Sequence, residues 1–408
     1  MTIYLKLAWR NIWRNRRRTL ITVSAIMFAV VFAIFGQSLN RGSHEIMIDN
    51  MTRFNTGYLQ LQDIRFNNEP SLDNSFAYDA QINARINRAH SQIDLILPRI
   101  ETFMLAADEE ATRGAIVMGI EPEKEQLFNN LEQRLQRGRF FTTGETAAVI
   151  GQGLAERLRL DIGDTLALIG QGRFGMSASG LFTVVGIIDH PLREMNDRIV
   201  YLSLTAAQEL LAAEGYITHL LLVPEHPRDT DRIATALRDE FAGNDLRVLT
   251  WPELMPELLQ LLRFDMAGSY LMSAILYVVI GFGFFGTVLT MTLERLKEFG
   301  ILLSVGMQRK RLAIVVFLET LWISLLGVIC GLAAAWLVLL YFHLNPIELT
   351  GNMAQTVIDM GWDPILPVSF APELFYTQGI IVFVLAMLVF IYPLLKIARL
   401  NVLAAARS

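Results

Sequence analysis

Cysteine is nearly absent from this 408-residue chain: Cys330 stands alone, inside an apolar run. One thiol cannot close an intrachain disulfide, so each folded part must be held by its own apolar core. Charge is scarce as well, at 18% of residues against roughly 25% in ordinary soluble proteins. Mean hydropathy is correspondingly positive, +0.38, which points to a membrane protein with a sizeable soluble part.

Other absences exclude chemistries. No Gly-x-x-x-x-Gly-Lys-Ser/Thr occurs, so these residues cannot cradle nucleotide phosphates by that device. The six histidines never pair at metal-ligand spacing, and no metal centre is expected. No serine or cysteine sits in a nucleophile elbow, so no enzyme activity is expected of the chain itself. Between the first two apolar runs Lys124 is the single lysine of an acidic region, which argues against nucleic acid as a partner. Gly170-Gln171-Gly172-Arg173-Phe174-Gly175 matches a dinucleotide fingerprint by letters, but the next regular segment is a strand near Leu181 instead of a helix. The context predicts a flexible loop between strands, presenting Phe174 and Met176. Asp108-Glu109-Glu110 reads as solvated loop surface.

What is present is apolar length. Residues 19–39, 266–293, 312–342 and 375–395 form runs that reach the about 20 residues needed to cross a hydrocarbon core, and the second and third exceed it. The first run is longer than a signal-peptide core and is expected to stay as a span. Lys6, Arg10, Arg14, Arg16, Arg17 and Arg18 precede the first run without an acidic residue. Arg295, Lys297, Arg309, Lys310 and Arg311 lie between the second and third, and Lys396, Arg399 and Arg407 follow the fourth. The loop before the fourth holds Glu348, Asp359, Asp363 and Glu373 with no Lys or Arg. The positive-inside rule therefore puts both termini in the cytoplasm.

The expected fold is an α-helical membrane protein with four transmembrane helices and a large α+β extracytoplasmic domain inserted between the first two. Its boundaries run as follows: a cytoplasmic amphipathic helix at 1–18, the first span at 19–41, the outer domain at 42–265 and the second span at 266–293. A charged cytoplasmic segment takes 294–311, the third span 312–342, an outer loop 343–374, the fourth span 375–395 and a cytoplasmic tail 396–408. Tyr4, Leu5, Ala8, Trp9, Ile12 and Trp13 recur at helical spacing opposite Lys6, Arg10 and Arg14, as in a helix lying on an anionic leaflet. Alternation predicts strands at 58–62, 115–120, 165–169, 181–188 and 199–202, and helices at 80–89, 205–213 and 230–241. The over-long second and third spans are absorbed either by tilt or by projection as a stalk.

Within the spans, Gly327 and Gly331 form a Gly-x-x-x-Gly face, and the second span offers Gly281, Gly283 and Gly286. Small residues of this kind let helices approach closely, within one subunit or between two. Glu319 is an acidic residue inside an apolar run, either a structural partner for Arg16 or Arg311 or a group that takes part in transmission.

Glu294-Arg295-Leu296-Lys297-Glu298-Phe299-Gly300-Ile301-Leu302, with Leu303 and Gly306 after it, resembles the coupling helix of FtsX-like ABC transporter permeases. Leu7-Ala8-Trp9-Arg10-Asn11-Ile12 with Arg14, Arg18, Thr19 and Leu20 is similar to the family's opening signature, and Phe317-Leu318-Glu319 with Gly327 and Gly331 to its third span. Tyr392-Pro393 with Ala398, Arg399 and Leu400 resembles its closing motif, although Val402 and Ala406 depart from it. Thr56-Gly57-Tyr58-Leu59-Gln60-Leu61, Gly119-Ile120-Glu121-Pro122 and Asn196-Asp197-Arg198 resemble the lipoprotein-releasing branch, whereas Val149-Ile150-Gly151-Gln152-Gly153 with Gly163-Asp164-Thr165 is shared with macrolide exporters.

The resemblance implies a permease subunit in a bacterial cytoplasmic membrane, working by mechanotransmission. Glu294, Arg295, Lys297, Glu298, Phe299, Gly300, Leu303 and Gly306 would dock on a separate ABC ATPase, with a bend at Gly300. ATP and magnesium would belong to that ATPase, and no cofactor to this chain. A second permease chain, identical or paralogous, and membrane lipid are the implied partners, with a periplasmic adaptor or lipoprotein cargo outside. A cell-division-type transducer that regulates peptidoglycan hydrolases, or a macrolide or peptide efflux permease, are the alternative readings.

Overall fold

The computed structural model describes residues 2–14, 16–359 and 365–399. Leu400, Val402, Ala406 and Arg407 of the tail and Asp363 of the outer loop lie outside the described residues. The chain divides into two compact units: Met1–Glu45, Leu262–Glu348 and Ile365–Ser408 form one, and Ile46–Leu261 with Leu349–Pro364 the other.

Among the described residues four helices are long and apolar enough to cross a membrane, Arg16–Thr56, Pro256–Glu294, Arg309–Leu344 and Pro372–Ala398, and most of their length belongs to the first unit. At 1.5 Å per residue, the 39 residues of the second make a rod of about 58 Å, nearly twice a hydrocarbon core of about 30 Å. The fourth breaks at Phe390 between Pro372–Val389 and Ile391–Ala398. Pro393 explains the break, since it has no N–H for the carbonyl of Val389 and its ring crowds that turn.

The third helix is the hub. Its glycines face the first helix: a Cβ on Gly327 would stand 2.7 Å from Ile26, and one on Gly331 2.7 Å from Val30. Around that contact Ile26, Val30, Ile34, Phe284, Ile323, Val328 and Val382 make one buried cluster. A methyl on Gly281, Gly283 or Gly286 of the second helix would meet no other element within 4 Å among the described residues. The amphipathic helix Thr2–Arg14 buries Ala8 and Ile12 and sets Trp9 edge-on to Trp322 at 5.6 Å, leaving Lys6, Arg10 and Arg14 exposed.

The second unit is built on a mixed ten-stranded sheet. Its order is Leu246–Thr250, Leu59–Asp63, His219–Pro224, Ile93–Ala107, Thr112–Ile120, Ile199–Ser203, Ala147–Gly151, Ser177–Ile188 and Leu135–Gly138. Thr165–Gln171 pairs with both Ile93–Ala107 and Ser177–Ile188. Helices Ala80–Ala89, Gln152–Leu158, Leu204–Leu210 and Thr230–Glu240 bury Ile86, Leu154, Ala207 and Ile233 in its core. Asp79 starts the first of these by accepting from the N–H groups of Gln81 and Ile82, as a helix N-cap should.

All five expected strands are present, and five more accompany them in the sheet. His219–Pro224 is buried at all six positions and Ala147–Gly151 at all five, so neither shows the alternation that betrays a half-buried strand. Ile93–Ala107 carries Pro98, which masks a 15-residue strand. In the connection between the third and fourth long helices, Ile347–Glu348 pairs with Ile365–Leu366, and Gly351–Asp359 is helical.

Candidate functional site: the coupling segment and the bundle it joins

The charged segment forms its own helix, Leu296–Ser304, set off from the second spanning helix by a break at Arg295. Gly300 does not bend it. That residue is buried within a regular turn, and Ser304 Oγ donates to its carbonyl at 2.9 Å. The turn comes at Gly306, where φ is +101° and Met307 N–H reaches back to the Leu302 carbonyl at 3.0 Å. This is the glycine-dependent way of ending a helix, which a side chain would strain.

Arg295 points inwards. Its Nη1 donates to Glu319 Oε2 at 2.5 Å and its Nη2 to Oε1 at 3.3 Å, while Asn11 Nδ2 donates to the same Oε1 at 2.5 Å. Arg295 is 9% exposed and Glu319 4%. The carboxylate expected to meet Arg16 or Arg311 is thus held by Arg295 and Asn11. Weaker exposed pairs surround it: Glu298 lies 3.7 Å from Arg295 and 3.5 Å from Arg14, and Glu294 lies 2.8 Å from Arg18. Phe299, 2% exposed, closes the joint from the apolar side with Leu312, Val316 and Ile397.

The residues expected to meet an ATPase therefore divide in two. Arg295, Phe299 and Gly300 fasten the helix to its own bundle, with Leu303 half-buried beside them. Glu294 and Lys297 are left at the surface, together with Ile301, Leu302 and Val305, the last 83% exposed. Ile301 and Leu302 stood in the motif read from the sequence, but they and Val305 were not among the residues expected to dock, because the sequence does not show which apolar residues of the segment stay exposed. Asn11 stood in the opening signature, but its partner, 308 positions away, could not be read from the sequence.

At the opposite end of the bundle the first and second helices line a cleft and are tied to each other by side chains. Ala33, Gly36, Gln37, Asn40, Gly268 and Leu276 are among the residues around an open cleft of about 590 Å3. Gly36 and Gly268 keep it wide, because a Cβ on either would meet nothing within 4 Å. Gln37 Nε2 donates to Ser273 Oγ at 2.5 Å on one wall, and Tyr277 hydroxyl donates to Gln378 deeper in. His44 Nε2 and Asp265 Oδ2, 2.5 Å apart, close the rim. The lining is apolar with a polar edge, suited to one end of an amphipathic molecule.

The loop at Gly172–Met176 joins the paired strands Thr165–Gln171 and Ser177–Ile188, as expected, and is tied to its surroundings at several points. Arg173 N–H donates to the Leu211 carbonyl at 2.9 Å, Phe174 N–H to Asp73 Oδ1 at 2.6 Å, and the Arg173 guanidinium lies 3.3 Å over the Tyr216 ring. Phe174 is held at φ 55° with its ring 71% exposed.

Comparison with known proteins agrees with this architecture. Residues 19–240 match the MacB-like periplasmic core domain, and residues 270–402 the FtsX-like permease C-terminal domain. An uncharacterized ABC transporter permease of Methanocaldococcus jannaschii is 20% identical over 80% of this chain and 80% of its own length. The lipoprotein-releasing system transmembrane protein LolC of Neisseria meningitidis is 20% identical over 59% of this chain and 60% of its own. The pyoverdine export ATP-binding/permease protein PvdT of Pseudomonas putida is 24% identical over 82% of this chain but 51% of its own length. The chain thus spans about half to four-fifths of these relatives. On the matched domains and the four apolar helices, it is a multi-pass membrane protein that belongs to the FtsX-like, MacB- and LolC-type family of ABC transporter permeases.

Proposed function

We propose that this chain is the force-transmitting permease of a transporter whose ATPase is a separate subunit, and that it lifts an acylated polypeptide or similar amphipathic cargo from the outer leaflet. The observation that carries the reading is the fastening of Leu296–Ser304. Arg295, Glu319 and Asn11 lock that helix to the third spanning helix and to Thr2–Arg14, so displacement of its exposed apolar face by a motor moves the bundle as a body. Packed cores respond to such a push by switching arrangement, because they deform little.

Orientation follows from the charge bias read from the sequence: both termini and Leu296–Ser304 face the cytoplasm, and the second unit faces outwards. The cleft around Gly36 and Gly268 then lies in the outer half of the bilayer. Its apolar walls accept an acyl chain and its Gln37, Asn40 and Ser273 edge accepts a polar linkage. A continuous polar path is not needed for this, and the polar side chains are bonded in two pairs, Gln37 to Ser273 and Tyr277 to Gln378. LolC, named for lipoprotein release, supports the same cargo class. A second permease chain would complete the assembly across the unpacked face of the second helix that bears Gly281, Gly283 and Gly286.

The test is co-purification with the ATPase encoded beside this chain, followed by ATP-dependent release of a lipoprotein from proteoliposomes. Release is expected to need hydrolysis and to fail in a Glu298→Lys, Gly300→Pro double variant. Wild-type release from that variant would sink the coupling assignment.

A further inference from the structure

Where the first spanning helix enters the second unit, the regular helix Arg16–Met51 finishes in one turn of wider π-helix, Thr52–Thr56. Wide turns leave carbonyls without helical partners, and those groups need donors from elsewhere. The Asn55 carbonyl receives one from an unusual source. Arg99, in the middle of the strand Ile93–Ala107, donates its Nη1 to that carbonyl at 3.1 Å. Its Nε and Nη2 hold both oxygens of Glu125 at 2.6 and 2.9 Å, and Asn129 Nδ2 adds a further bond to Glu125 at 2.7 Å. Arg99 is 2% exposed and Glu125 1%.

A buried ion pair is a poor way to gain stability, because desolvating two charges costs about as much as their attraction returns. An apolar pair would fill the same space. What an apolar pair cannot do is hold the Asn55 carbonyl, and so the geometry points to positioning.

Other ties converge on the same turn. Phe54 plugs into the cluster of Met118, Ile120 and Tyr201, and Tyr58 hydroxyl donates back to Asp49 Oδ1 at 2.7 Å. Gly57 follows at φ 71°, with its N–H on the Thr52 carbonyl at 2.6 Å. The strand that begins at Leu59 pairs Leu59 with Thr250, the residue that caps Trp251–Leu254 just before the second long helix starts at Pro256. Within the second unit, the turn at Asn55 and the cap at Thr250 thus lie at neighbouring ends of two paired strands.

We propose that Arg99, aligned by Glu125, is a positioning residue that makes the turn Thr52–Thr56 a rigid joint, so that rotation of Arg16–Met51 passes into the sheet instead of dissipating in the turn. The proposal rests on the force-transmitting reading above. It assigns the place in the outer domain where that force enters.

The experiment compares full-length wild type with Arg99→Met, Glu125→Leu in nanodiscs with its ATPase. The apolar pair fills the site, so the fold should persist. Amide hydrogen exchange at residues 52–57 should speed up roughly ten- to hundred-fold, the factor set by losing a charge-assisted bond, while exchange at Leu59–Asp63 and Thr112–Ile120 stays put. ATP hydrolysed per molecule of a fluorescent triacylated lipopeptide released should rise at least ten-fold. The swap Arg99→Glu, Glu125→Arg restores an ion pair but not the donor to Asn55. It should therefore not restore the ratio, whereas a purely structural pair would be rescued by it. Unchanged exchange at 52–57 in the apolar variant, or a normal ratio despite a loosened turn, overturns the proposal. If wild type itself releases no lipopeptide, the transport reading falls, and the exchange result alone then decides whether Arg99 stiffens the joint.

Discussion

Glu319→Leu is expected to destabilise the bundle by about 3–5 kcal/mol, the cost of leaving a buried charge without its partner. The figure follows from the geometry. Glu319 and Arg295 are 4% and 9% exposed, the guanidinium reaches both carboxylate oxygens, and Asn11 shares one of them. Removing the carboxylate leaves Arg295 with only the looser contact to Glu298 at 3.7 Å and also frees the Asn11 amide. The double variant Arg295→Met, Glu319→Leu removes both charges and should cost less than Glu319→Leu alone, because no ion is then left buried. Thermal midpoints of the full chain in nanodiscs, compared among wild type, the two single variants and the double, read this coupling directly. A double variant no more stable than Glu319→Leu would show that the pair is not energetically coupled, and the account of how Leu296–Ser304 is fastened would fail with it. Motor coupling offers a separate check. Even where the double variant folds, it lacks the directional tie between Leu296–Ser304 and the third helix, so ATPase stimulation by cargo should weaken.

Other measurements follow from the same structure. Gly331→Ala puts a methyl 2.7 Å from Val30 and Gly327→Ala one 2.7 Å from Ile26, and each should cost about 1–3 kcal/mol by overpacking; Gly281→Ala, facing open space, should leave the thermal midpoint of the solubilised single chain unchanged or slightly raised. Phe174→Asn relieves a left-handed aromatic residue and should stabilise the second unit by about 0.5–1 kcal/mol in thermal unfolding. Burial, reinforced by the charges of Arg134 and Arg99, pulls His190 down to about 4. The unfolded chain, with an ordinary histidine near 6.5, binds a proton in that interval that the folded one refuses. Stability should therefore fall as pH drops from about 6.5 to 4, by about 1.4 kcal/mol per pH unit. His219, pulled down to about 3 by burial, adds a fall of the same sign, so a His190→Phe variant should reduce that slope without abolishing it, and an unchanged slope would remove His190 as a source.

Properties that accumulate along the chain could be read from the sequence. Four apolar runs, the basic residues beside them and the motif from Glu294 to Gly306 gave the spans, an expected orientation and the family, because burial in hydrocarbon and helix periodicity depend on neighbours in sequence. Strands with one wet face were visible for the same reason, as at Leu181–Ile188, whereas His219–Pro224, buried on both faces, was not. Tertiary structure alone decided which groups meet. It gave Glu319 to Arg295 and Asn11, turned the Gly327 and Gly331 face towards the first helix, and moved the bend of the charged segment from Gly300 to Gly306. It also set Arg99 of one strand against Glu125 and the Asn55 carbonyl. A buried charge or a close glycine contact is chosen by whatever the fold brings within a few ångströms, and a single sequence records the charge but not its neighbour.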